Sequence, residues 1–354
     1  MAGVSRSTVS FALSGQKLKN GDIPPETRDR VIAAARKLGY KRNELACSVR
    51  RGYSKTIAYV MGGAGYSFSL PLIIGVSSTV QARGYYFKLL MLNHELDLAS
   101  ALSQCASQMV AGVICGNIQH DKLDMLRHEL EPLGMPIVLA DNNVPHDWCL
   151  SVTSDEVAGA KMAVDHLLSL GHRRIGLISY GLPGCPDQIN QDPSNILRRN
   201  GFLKALAQAE LPHEPHMEMR DAEPEGEKVP AIAHFLQNVK PTAVFCVTDY
   251  LAADTLRAAS SIGLRVSQDI SVVGYGDLEV ARYNNPPITS ILQPFENIGS
   301  LAASSLLDCI ESKKSTPSGN IILPVRLVTR ESSSTINEGT QANDNKIFIY
   351  GNKK

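Results

Sequence analysis

No two cysteines of this sequence are spaced as CxxC. The seven present (Cys47, Cys105, Cys115, Cys149, Cys185, Cys246 and Cys309) are scattered and odd in number, several inside apolar runs such as GVICG and AVFCVT. That excludes a zinc site and a disulfide framework, and leaves small buried hydrophobes in a reducing compartment. No metal and no cofactor is expected. Long apolar runs are missing too, none approaching the ~18 residues of a membrane span. The opening MAGVSRSTVSFALSG is too polar for a secretory signal, which needs an apolar run of about 7 to 15 residues. A cytoplasmic protein without a membrane partner is therefore expected. Catalytic signatures are absent as well: there is no Ser-His-Asp order, no HExxH and no GxxxxGK(S/T). GGAGYS, after the first predicted strand, lacks the spacing of a dinucleotide fingerprint. No catalytic residues are assigned.

Net charge is also absent, since 35 basic and 35 acidic side chains cancel. The cancellation is uneven. Residues 1–55 carry 12 Lys and Arg against 4 Asp and Glu, a net of +8; the remainder carries 23 against 31, a net of −8. A basic head on an acidic body suits a head that meets a polyanion. In SRSTVSFALSG, Ser5 is placed to cap a helix, and Val9, Ala12 and Leu13 recur at i, i+3 and i+4 before Gly15 stops it. Gly3 supplies the tight corner of a helix-turn-helix, so this stretch reads as the second helix of that motif with its first helix lacking. Pro24-Pro25 open the next helix, Val31, Ala34, Ala35 and Leu38 give its apolar stripe, and Gly39 ends it. The shorter helix is expected to pack on Val31, Ala35 and Leu38. KRNELACSVRRGYSK follows, short and basic, with Leu45 and Val49 at i, i+4. It reads either as a linker that turns helical against a partner or as a plain flexible one.

From Thr56 the texture alternates between apolar strands (TIAYVMG, YYFKLLML, GVICG, PIVLAD, RIGLIS, AVFCVT, ISVVGYG) and amphipathic helices. The helices are expected around 71–83, 97–111, 155–170, 196–209, 228–238, 249–262 and 297–312. Such alternation predicts parallel sheets covered by helices on both faces, and the number of strands asks for two consecutive α/β halves. Ligands of such sheets bind beyond the carboxyl ends of the strands. The polar residues found there are Asp141, Ser154 and Asp155, Thr248-Asp249, Gly276-Asp277 and Gln293, with Arg198 on the helix of ILRRNGF. Carboxylates, a hydroxyl, an amide and a guanidinium form an inventory suited to a polyhydroxylated small molecule. Asp155 also reads as a helix N-cap, Asp249 stands at a helix start, Asp277 can close a turn, and His172 in LGHRRIG suits a helix end. SSSTINEGTQANDNKIFIYGNKK loses periodicity and predicts a poorly ordered tail.

AGVSRSTVSFALSG, the run IPPETRDRVIAAARKLGYKRNELACSVRRGYSKTIAYV, DHLLSLGHRRIGLIS, RRNGF, TDYLAADTLRAASSIGLRVSQDISVVGYGD and NNPPITSILQP together resemble the lac repressor family of bacterial transcription regulators. The ordered series runs from residue 2 to about residue 332. The resemblance implies a helix-turn-helix head at 1–42, lacking its first helix, and a hinge helix or linker at 43–55. It implies a two-lobed core at 56–332, like periplasmic sugar-binding proteins, with two doubly wound parallel sheets. The first lobe would take about 56–154 plus 294–322 and the second about 155–291 plus 323–332, with a polar tail at 333–354.

By motif position, Arg6, Ser7 and Ser10 would face base edges or phosphates and Thr8 the DNA backbone. Asn43 would position the hinge, Leu45 would pack the paired hinges, and Val49 would take the place of the residue that wedges into the minor groove. Phe68 and Pro71 would line the first-lobe side of an effector cleft. Arg198, Asp249, Gln293 and Asp141 would reach the effector, with Ser154 and Asp277 beside them. Thr248-Asp249 and Gly276-Asp277 depart from the family pattern and predict a pocket less acidic than a typical sugar site.

The implied protein is a homodimeric repressor that binds a double-stranded operator and answers to a sugar or sugar derivative. No tetramer is expected, because the tail has no heptad leucines. Members usually carry about nine residues before AGVS, so operator binding is expected to be weak, charge-driven and steeply salt-dependent. A sugar-binding transport protein and an α/β enzyme built on Asp249 or Asp277 are the rival readings. A truncated regulator that binds ligand but not DNA is a third.

Overall fold

Ser5 starts helix α1 (Arg6–Ser14), its Oγ accepting from the backbone N–H of Thr8 at 3.1 Å. The computed structural model describes residues 3–14, 22–40, 48, 52–62, 68–118, 122–143, 146–182, 185–189, 192–221, 228–314 and 317–336. The chain divides into two units, residues 1–55 and 56–354. In the first, helix α2 (Pro25–Lys37) begins at a proline, whose missing N–H costs nothing there. It ends at Gly39, where a φ of 62° lets the Tyr40 N–H reach the Ala35 carbonyl at 2.9 Å. Ala12, Ile23 and Val31 form the buried core of this unit, with Val4, Val9, Phe11 and Leu13 around them. Leu38 is not part of it. That side chain sits at the helix C-cap and is 58% exposed, and Ile23, from the segment ahead of α2, fills the core instead. Asn43, Leu45 and Val49 lie outside the described residues.

The second unit holds two sheets. The first contains β1 (Thr56–Gly62), β2 (Tyr86–Leu92), β3 (Gly112–Gly116), β4 (Ile137–Ala140), β5 (Leu150–Ser154) and β12 (Gly319–Leu323). Its order is β2-β1-β3-β4-β5-β12, all parallel. The second contains β6 (Ile175–Leu182), β7 (Cys185–Ile189), β8 (Glu218–Asp221), β9 (Ala243–Cys246), β10 (Ser271–Gly276), β11 (Thr289–Leu292) and β13 (Arg326–Val328). Here β8-β6-β9-β10-β11 run parallel, while β13 on β11 and β7 on β6 are antiparallel. Each sheet therefore repeats one doubly wound order, second-first-third-fourth-fifth, which leaves a crevice at its carboxyl edge. The apolar runs follow from burial on both faces: the five inner residues of β1 are buried, as are all of β3 and β9.

Helices α3 (Ser69–Ala82), α4 (Leu98–Ser107), α5 (Leu123–Leu130) and α11 (Phe295–Ser312) cover the first sheet. Helices α6 (Glu156–Ser169), α7 (Pro193–Gln208), α8 (Lys228–Val239), α9 (Asp249–Ser261) and the short α10 (Glu279–Tyr283) accompany the second. Glycine sets one close approach: a Cβ on Gly75 of α3 would meet the Glu296 carbonyl of α11, and one on Gly299 would meet that of Leu72. The chain passes between the lobes from β5 to α6, from β11 to α11 and from β12 to β13. The first and third passages lie side by side, the Asp155 N–H donating to the Leu323 carbonyl at 3.1 Å.

The second lobe extends beyond residue 332. Ser334 N–H donates to Ser271 Oγ at 3.1 Å and Ile336 N–H to the Leu170 carbonyl at 3.0 Å. These serines bond to the sheet without any periodicity to announce it. His172, expected at a helix end, follows α6 but is buried. Its Nε2 lies 3.0 Å from the Ser334 carbonyl oxygen and its Nδ1 3.1 Å from Thr242 Oγ1, and burial lowers its pKa. Cys105, Cys115, Cys149, Cys246 and Cys309 are buried free thiols. Among the described residues no helix is long and apolar enough to cross a membrane, and no cluster of His, Cys, Asp or Glu is placed to hold a metal.

Candidate functional site

Glu156 opens α6, one residue after Asp155 caps that helix by accepting from the Ala158 N–H at 2.9 Å. Its side chain is 1% exposed, and four side chains converge on it. Arg198 Nε donates to Oε2 at 2.6 Å. Gln293 Nε2 donates to Oε1 at 2.9 Å, Ser154 Oγ donates to the same oxygen at 3.1 Å, and Asn143 Nδ2 does so at 3.4 Å. Ser154 ends β5 and Gln293 follows β11, so both stand on chain passages between the lobes. Asn143 also donates to Ser194 Oγ of α7 at 3.1 Å, a bond from the first lobe to the second.

Arg198, on α7, completes the group. Its Nη1 donates to the Val247 carbonyl at 2.7 Å and its Nη2 to Gln293 Oε1 at 3.2 Å, while the guanidinium lies 4.0 Å from the centroid of the Tyr275 ring. Burial opposes its charge, and Glu156, Tyr275 and Asp192 together more than offset that, holding the group protonated. The Tyr275 ring keeps this place because Gly159 has no Cβ to meet its hydroxyl.

Asp141 follows β4 with a φ of 55°, its N–H donating to the Val152 carbonyl at 2.8 Å. Its Oδ1 is enclosed and has no hydrogen-bond partner among the described residues. Burial first, and then the charge of Glu156, push this carboxyl up to about 7 against the pull of Arg198. On the first-lobe side, Phe68 precedes α3 and stacks on Phe295 with ring centroids 5.5 Å apart, and Pro71 lies half-buried in the next turn. Ser69 between them has an enclosed hydroxyl with no partner among the described residues.

Asp141, Ser154, Arg198 and Gln293 are thus brought together. Asp249 and Asp277 are instead bonded to other groups of the second lobe. Asp249 is fully buried, its Oδ2 accepting from the Leu278 N–H at 2.7 Å and its Oδ1 from the Ser290 hydroxyl at 2.5 Å. Burial pushes its carboxyl up to about 6, and the N-cap of α9 is Thr248. Asp277 is clamped by Arg282 Nη2 at 3.0 Å and Arg330 Nη2 at 2.5 Å. Both aspartates hold strand ends in place. Sequence reasoning missed Glu156 and Asn143. An acid just inside an N-cap reads as ordinary helix-start chemistry, and an asparagine in DNNVP reads as a turn. Glu156 and Asp141 both lie close to Arg198.

In the head, Arg6, Ser7 and Ser10 are exposed on α1, whereas Thr8 is half-buried with its Oγ1 2.8 Å from Ser5 Oγ.

A small helical head ahead of two doubly wound lobes, with a polar group at their shared strand ends, defines a two-lobed regulator. Residues 1–43 match the bacterial regulatory proteins of the lacI family, and residues 164–333 match the periplasmic binding protein-like domain. The chain is 33% identical over 336 residues to the HTH-type transcriptional repressor PurR of Yersinia pestis bv. Antiqua (strain Antiqua), covering 94% of each protein. The chain belongs to the lacI family. Among solved structures it resembles the Lac repressor dimer bound to operator and the anti-inducer ONPF (TM-score 0.76, 25% identity, 94% of this chain and 96% of that one). It also resembles the CelR–cellobiose complex (TM-score 0.70, 28% identity, 94% and 97%).

Proposed function

We propose that this protein is a DNA-binding transcription regulator, a repressor, whose grip on its operator is set by a sugar-like effector held between the two lobes. It catalyses no reaction in this reading. The observation that carries it is the group of Arg198, Glu156, Gln293, Ser154 and Asn143, which ties α7 to two passages between the lobes at the carboxyl ends of both sheets. A ligand that rearranges Gln293 or Ser154 changes the lobes' relative orientation, and such differential binding is what shifts a two-state equilibrium.

Arg198, Asp141, Gln293, Phe68 and Pro71 are the proposed effector contacts. Arg6, Ser7 and Ser10 on α1 are the proposed operator contacts, with Thr8 nearer the backbone. The relatives described as a repressor bound to operator and as a cellobiose complex support both halves of the reading. Homodimerisation is assigned to the face formed by α3 and the edge strand β2, where Leu70, Ile74, Tyr86 and Met91 are exposed apolar side chains.

The test is operator selection from random duplex DNA with the full chain. The selected site is then titrated at about physiological salt with and without a sugar identified by thermal shift. Binding that the sugar changes at least tenfold is expected. A DNA affinity that no bound sugar alters would overturn the reading.

A further inference from the structure

The positive charge of Arg198 is already matched inside the protein. Its Nε is taken by Glu156, its Nη1 by the Val247 carbonyl, its Nη2 by Gln293, and one face by Tyr275. A guanidinium has five N–H groups, so two remain for a ligand. Glu156 is equally committed, with Oε2 on Arg198 and Oε1 shared by Gln293, Ser154 and Asn143. Asp141 and Asp192 act electrostatically on the same place. Asp192 caps α7, its Oδ1 accepting from the Ser194 N–H at 2.8 Å. Among these groups one guanidinium therefore faces three carboxylates.

An anionic ligand at the two spare N–H groups would meet a guanidinium whose charge Glu156 already neutralises, and would face the carboxylates of Glu156, Asp141 and Asp192 at close range. Crowding a further negative charge into such a buried place is strongly unfavourable. A hydroxyl or ammonium group has the opposite experience. It accepts from, or leaves undisturbed, the two spare N–H groups, and it offers a proton to the enclosed, unpartnered Oδ1 of Asp141.

We infer that the cleft takes neutral or cationic, hydroxyl-rich small molecules and rejects anionic ones such as sugar phosphates and sugar acids, with Glu156 as the built-in counter-ion that enforces the choice. The inference rests on the cleft being the effector site. It goes further by assigning the effector's charge class and by giving Glu156 a role in specificity.

Inorganic phosphate is the probe. Thermal unfolding of the full chain is followed in sodium phosphate and in sodium chloride at matched ionic strength, for the wild type, Glu156→Gln, Arg198→Gln and the double variant. The wild type is expected to show no phosphate-specific shift that depends on Arg198. Glu156→Gln is expected to gain a shift of several degrees that the double variant lacks. A phosphate shift in the wild type that Arg198→Gln removes would overturn the inference, as would a Glu156→Gln protein that gains nothing.

A second measurement needs no variant. The wild type is screened against matched neutral, amino and phosphorylated forms of glucose and ribose, and a phosphorylated form that outbinds its parent overturns the inference. If the phosphate results hold while no small molecule alters operator binding, the effector-site reading fails and the charge assignment stands.

Discussion

Arg198 Nε and Glu156 Oε2 lie 2.6 Å apart, with side chains 11% and 1% exposed. The pair joins the middle of α7 to the first residue of α6, and Gln293 ties it to the passage between β11 and α11. Viewed from the sequence, Arg198 is a ligand contact. The presence of Glu156 makes it a structural partner too.

Replacing Arg198 by alanine leaves Glu156 buried without its counter-ion. Loss of one member of a buried pair costs about 3–5 kcal/mol. Urea unfolding of Arg198→Ala is expected to show a loss of that size, and Arg198→Ala combined with Glu156→Gln to recover part of it. A single variant as stable as the wild type would mean the pair carries little energy.

Asp141 makes stability depend on pH. Its carboxyl is raised to about 7 in the folded protein, from 3.8. The folded state therefore binds more protons than the unfolded one between these values, and stability falls as pH rises from about 4 to about 7. Asp141→Asn removes this dependence. The variant is expected to gain on the wild type from pH 5 upward, reaching a Tm higher by several degrees at pH 8. A difference that stays flat from pH 5 to pH 8 would contradict the assignment.

Asp249 holds two buried donors of the second lobe. Removing its carboxylate leaves the Leu278 N–H and the Ser290 hydroxyl without their acceptor in a buried place. Each such loss costs about 1–3 kcal/mol. Asp249→Ala is expected to lower stability by a few kcal/mol, while the folded fraction keeps its effector affinity by calorimetry. A large loss of affinity with unchanged stability would return Asp249 to the site.

Ile74 is 42% exposed on α3, one turn beyond Leu70 at 61%. A charge placed there disturbs little inside the lobe and opposes pairing of two such faces. Light scattering of Ile74→Asp at micromolar concentration is expected to report a monomer with near wild-type secondary structure. A dimer that survives the substitution would move the interface elsewhere.

Local chemistry was legible in the sequence wherever its causes lie within a few residues. Ser5 caps α1, Gly39 ends α2, Asp155 caps α6, and the apolar runs TIAYVMG, GVICG and AVFCVT became buried strands. Edge elements were not legible. β8 (EMRD), β12 (GNIIL) and β13 (RLV) are short or half-exposed, and what makes them strands is the neighbour each pairs with. Helix α5 (LDMLRHEL), two turns long, is absent from the expected helices. In the site, family position pointed to Arg198 and Gln293, yet it could not say what else they touch. Glu156 meets Arg198 from 42 positions away and Gln293 from 137, and Asp249 meets Ser290 from 41. Which buried carboxylate is spent on the fold, and which has an oxygen without a partner among the described residues, depends on those distant partners. The tertiary structure decided it, because the pairing of a buried charge depends on whatever lies within about 3 Å in space and leaves no periodic trace along the chain.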